Sequence, residues 1–220
     1  MLGHTGSEQK EMVMAEHDTN WYVILDPQAT EEQLLEALKD RRPGIRSSAA
    51  HHPRATERVQ LEAMQDAHWY VRESTVKITT SERVLMAAIM DPNVWVRIAA
   101  SENLYATERV QMVAIIDPDV RVRIAVARNI SASGKVLLAA MGDADPEVRW
   151  RAVTNSKATE DVLMAGLADT VTQVRRAAVL HPHATDRVLR MAAAHDSDPE
   201  VSEVAKRELA VRLAYATGNH

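Results

Sequence analysis

The chain has 220 residues, 46% hydrophobic and 26% charged, with a formal net charge of −5 and with Arg and Lys spread along its length. That balance suits a folded chain and excludes the basic excess of a general nucleic-acid binder. Cys is absent, which excludes disulfides, thiolate metal sites and iron–sulfur clusters; Phe is absent too and aromatics total 4%, so Ala, Val, Leu and Met must fill the core.

The first residues, Met1-Leu2-Gly3-His4, lack the basic and apolar regions of a secretory signal, and no apolar run is long enough to span a membrane, so a soluble cytoplasmic protein is expected. Residues 1–28 read as a degenerate capping repeat: Ser7 is placed to cap a helix, and Asp26-Pro27-Gln28 parallels His52-Pro53-Arg54. From Ala29 a phrase recurs, with block starts at Ala29, Ala55, Thr80, Ala106, Ala132, Ala158 and Ala184, in steps of 25 or 26 residues. A fixed period of this size marks a solenoid, whose units must stack to bury an apolar face. The expectation is one elongated all-α domain of about seven repeats over 29–209, closed by a helix whose end and tail occupy 210–220.

Each block opens on Thr or Ser (Thr30, Thr56, Ser81, Thr107, Ser133, Thr159, Thr185), most often followed by an acid such as Glu31, Glu57 or Glu108. A hydroxyl that accepts a first-turn amide, with an acid at the positive end of the helix dipole, predicts a helix start. Apolar residues at the fourth, eighth and ninth positions, as in Val84, Ala88 and Ile89, predict a helix of about ten residues. It should stop at Asp40, Asp66, Asp91, Asp117, Asp143 or Asp169, where a following Pro often makes a turn. A second helix is predicted from Val71-Arg72, Val96-Arg97, Val122-Arg123, Val148-Arg149 and Val174-Arg175, with Ile45-Arg46 the first of the series, to Asn103, Asn129, Asn155 or His181. In the last block Ser202 takes the place of the Arg, and Glu200 to Ala216 reads as a longer closing helix.

The phrase Ala-Thr-x-x-Val-Leu…Asp-Pro-x-Val-x-Val-Arg-x-Ala-x-Ala-x-Asn resembles the leucine-rich repeat variant family and, more broadly, short HEAT-like repeats, over about four-fifths of the chain. The resemblance implies a right-handed αα superhelix. It also implies that the recurring Asp and Arg form an ion-pair and hydrogen-bond ladder between stacked blocks rather than an active site. The N-terminal iron–sulfur cluster of some members has no ligands in a chain without Cys.

His51-His52 and His181-x-His183 have no carboxylate or thiolate alongside and read as solvated loop histidines, so neither a metal nor another cofactor is expected. One departure from the template points to binding. The fifteenth, eighteenth and twenty-second positions share a stripe of the second helix opposite the core. That stripe carries Tyr70, Trp95, Ile98, Ile124 and Trp150, edged by Arg121, Arg128 and Arg176 and by Glu73, Lys77, Glu102 and Glu147. Aromatic and Arg side chains together match protein-binding hot spots, although Ile98, Ile124 and Trp150 could equally pack on neighbouring helices. A non-catalytic scaffold for a protein or peptide partner is the leading expectation. A HEAT-like nucleic-acid protein or DNA glycosylase, using Trp95, Trp150, Asp91, Asp117 and Arg121, is the alternative, and self-association through the stripe is a third reading.

Overall fold

The computed structural model of the chain describes residues 20–216, and every regular element among them is helical. Ser7, with the rest of 1–19, and the tail 217–220 lie outside the described residues. The fold is an all-α solenoid of helical repeats, divided between Tyr105 and Ala106 into two compact units. In the first unit, residues 20–25 are helical and three blocks follow, with first helices Glu31–Ala37, Glu57–Ala63 and Glu82–Ile89 and second helices Pro43–Ala50, Trp69–Ile78 and Val94–Glu102. In the second unit, the first helices are Glu108–Ala114, Gly134–Ala140, Glu160–Leu167 and Asp186–His195, and the second helices are Val120–Arg128, Pro146–Thr154, Thr172–Leu180 and Pro199–Ala216. Within each unit, first helices pack on first helices of adjacent blocks and second helices on second.

Most first helices have seven or eight residues, shorter than their periodicity predicts, because the chain leaves the helix up to three residues before each Asp. Thr30, Thr56, Ser81, Ser133 and Thr185 cap through their hydroxyls, and Thr30 forms a full capping box with Gln33. Thr107 and Thr159 hold the cap position without the side-chain bond. The Thr159 methyl packs onto Gly134 of the block before it.

The second helices start earlier than the Val-Arg pairs. Asn93, Asp119 and Asp145 are N-caps whose side chains accept the amides of Trp95, Arg121 and Glu147, so the helix opens two residues before the Val. Pro146 therefore begins a helix instead of ending one, as Pro43 does, since a first-turn residue needs no amide hydrogen. The expected core positions are buried, including Val71, Val96, Val122, Val148 and Val174 from the second helices and Val84, Ala88 and Ile89 from a first helix.

Small residues set the helix spacing. A Cβ on Gly166 would lie 2.8 Å from Val153 Cγ2 and 3.2 Å from Ala178 Cβ. Gly166→Ala is expected to lower stability by about 1 kcal/mol, because overpacking of about 1–3 kcal/mol outweighs the helix-propensity gain of about 1 kcal/mol. A urea midpoint that rises or stays put in this variant contradicts the close packing.

Candidate functional site

The recurring Asp and Arg form the expected ladder between stacked blocks, with five guanidinium groups each divided between two blocks. Arg123 Nη1 donates to the main-chain oxygen of Asp117 at 2.9 Å in its own block, while Nε and Nη2 donate to the Asp143 carboxylate of the next block at 2.7 and 3.1 Å. The same carboxylate accepts the amide of Asp145 at 2.8 Å. Arg46 with Asp66, Arg72 with Asp91, Arg149 with Asp169 and Arg175 with Asp196 repeat the arrangement. Arg97 Nη1 makes the own-block bond to Asp91 O at 2.9 Å.

At the start of the described chain, Asn20 reaches Asp40 at the twenty-residue offset that Arg46 uses for Asp66, and Arg42 supplies the guanidinium. Ser202, in the last Arg position, instead donates to Ala193 O at 2.8 Å.

Electrostatics follow from this geometry. Burial would raise the carboxyls of Asp66, Asp143 and Asp169, but their Arg partners and the amides two residues on outweigh it, so all three lie below the ordinary aspartate value. Asp40 is held far below that value by the Arg42 guanidinium, against burial and with help from the Arg42 amide and Asn20. The stability these groups contribute is present above about pH 4 and is lost as pH falls through their depressed values.

A second series links the first helices. Glu31, Glu57, Glu108 and Glu160 pair with Arg58, Arg83, Lys135 and Arg187 of the next block. These pairs are exposed and screened by water.

The corners after four of the second helices carry a third series that the sequence reading missed. Asn103 Nδ2 donates to Val76 O and Thr79 O, and Asn155 Nδ2 to Ala127 O and Asn129 O. His52 and His181 stand in the same register and are buried, which corrects the expectation of solvated loop histidines; only His51 and His183 are exposed. The signal was available in the 26-residue steps that join His181 to Asn155, Asn129 and Asn103. Among the described residues no group of three His, Cys, Asp or Glu side chains is placed to hold a metal.

The residues of the stripe fall in both units. In the first, Tyr70 and Trp95 are exposed, Ile98 is half-buried, and Trp69, which periodicity did not single out, stands edge-on to Tyr70 at 6.3 Å. Trp95 is 50% exposed.

In the second unit, Ile124 is half-buried; Arg121, Arg128 and Arg176 are exposed, with Arg121 bonded to Asp119 and Arg176 to Glu200. Trp150 is half-buried, with the Arg151 guanidinium 4.7 Å from its ring centroid. Two shallow clefts of about 410 and 470 Å³ flank it, one lined by Thr154, Arg176, Leu180 and Pro182, the other by Pro146, Glu147, Val171 and Val174.

Among solved structures, the chain is similar to one described as a leucine-rich repeat variant with a novel repetitive protein structural motif, at 20% identity over 85% of each chain and with a TM-score of 0.39. No family model matches the chain, and the comparison with curated proteins gives no match. Among the described residues no helix is long and apolar enough to cross a membrane.

Proposed function

We propose that the protein is a non-catalytic scaffold that binds a protein or peptide partner on the faces of its second helices. The reading is carried by the indoles of Trp95 and Trp150, which stand at surface positions where other blocks have Arg121, Glu147, Glu73 or Arg176. Core packing requires no aromatic ring there, and a half-exposed Trp beside Arg is the composition of a binding hot spot. The fold supports the same conclusion, since stacked repeats present extended surfaces. Asp91, a candidate for base-excision chemistry in the alternative reading, is instead bonded by Arg72. A cytoplasmic location fits a sequence without Cys.

The test is selection of peptides from a displayed library on the intact protein. Enrichment should collapse when Trp95→Ala and Trp150→Ala are combined. Peptides that enrich equally on the double variant count against this face. A nucleic-acid function is tested separately: at about 50 mM salt, where phosphate contacts are strongest, neither duplex nor single-stranded DNA should be shifted at micromolar protein. A salt-sensitive shift favours the nucleic-acid reading. Light scattering that shows a stable dimer favours self-association.

A further inference from the structure

Asn103 and Asn155 both donate and accept. Asn155 donates through Nδ2 to the preceding block, and its Oδ1 accepts the amide of Lys157 at 2.9 Å; Asn103 serves the amide of Tyr105 in the same way at 2.7 Å. A primary amide supplies both functions at any ordinary pH.

His52 and His181 do this with a ring. His181 Nε2 lies 3.1 Å from Asn155 O, and its Nδ1 accepts the amide of His183 at 3.0 Å. His52 Nε2 lies 2.9 Å from Asp26 O, and its Nδ1 accepts the amide of Arg54 at 3.2 Å. A carbonyl oxygen cannot donate, so Nε2 carries the hydrogen; an amide N–H cannot accept, so Nδ1 is bare. Only the neutral Nε2–H tautomer satisfies both contacts. Each residue is only 6% exposed, so water cannot easily replace a lost partner.

We infer that His181 is an acid-released corner pin: a proton on Nδ1 faces the amide hydrogen of His183, breaks that contact and loosens the corner, while the Asn corners hold. His181 and Pro182 also line the cleft beside Trp150, so release would free one wall of it. The His183 ring, 5.2 Å from that of His181, opposes a positive charge there; Arg176 in the same cleft is paired with Glu200, and no carboxylate lines this cleft among the described residues.

Burial pushes the His181 pKa down, against the pull of the Asn155 carbonyl, and His183 adds to the lowering. The unfolded chain therefore takes up this proton first. Stability is complete above about pH 6.5 and falls as pH drops below it.

Amide hydrogen exchange by NMR on the full chain tests the inference, with the Asn corners as internal standards. From about pH 7.5 to about pH 5, the amide of His183 should lose about tenfold in protection relative to those of Tyr105 and Lys157. His181→Asn should make His183 behave as Lys157 does. If His183 tracks the Asn-corner amides in the wild-type protein, or if ring nitrogen shifts place the neutral proton of His181 on Nδ1, the inference is wrong. The wild-type comparison decides even if the variant does not fold.

Discussion

Arg123→Ala is expected to lower the unfolding free energy by about 3 kcal/mol or more, the scale for breaking a buried ion pair from one side. The Arg123 and Asp143 side chains are 18% and 7% exposed. Removing the guanidinium leaves the Asp143 carboxylate with the Asp145 amide but without its charge partner, and takes a donor from the Asp117 carbonyl. One residue therefore ties a turn of its own block to the turn of the next. Arg123→Lys should recover only part of the loss, because one ammonium group cannot reproduce the planar fork that reaches both Asp143 oxygens and the carbonyls of Asp117 and Pro118. Arg58→Ala, which removes a partner of the exposed Glu31, should change stability far less, since that pair is screened by water. Urea denaturation gives the answer, and a wild-type midpoint for Arg123→Ala removes the ladder from the account.

The second large effect concerns binding. Trp95→Ala or Trp150→Ala should weaken a selected peptide or natural partner by at least about 2 kcal/mol, roughly thirtyfold, as truncation of a hot-spot aromatic does. Trp95 is the more exposed of the two, and the Arg151 guanidinium lies over the Trp150 ring. Glu57→Ala and Arg187→Ala, on first helices, should leave affinity unchanged. Calorimetric titration with a parallel thermal melt separates lost contact from lost fold. Normal binding by the Trp variants, with loss in the first-helix controls, moves the site to the other face.

The repeat was readable because cap, Asp, Val-Arg and small residues recur in one register, each with a local physical meaning. Periodicity also hid something. Asp117 lies six residues before Arg123 and Asp143 lies twenty after it, so spacing alone does not say which carboxylate the guanidinium meets; stacking decides. The caps Asn93, Asp119 and Asp145 were concealed among turn residues, where Asp-Pro reads as a stop although Pro is equally at home in a first turn. His181 illustrates a different blindness: an isolated loop histidine reads as solvated until its register with Asn155 is noticed, and its burial comes from contacts 26 residues away. The stripe was legible as a row of residue types but not as a surface. Tyr70 and Trp95 are exposed while Ile98, Ile124 and Trp150 are half-buried, a difference made by neighbouring helices that helical geometry alone does not supply.

The most direct test of a binding face on the second helices is a hydrogen–deuterium exchange footprint of the protein with a selected peptide bound at saturation. Protection is predicted over 146–154 and 172–180, the helices that form the clefts around Trp150, with the first helices 134–140 and 160–167 unchanged. Protection confined to those first helices would contradict the account.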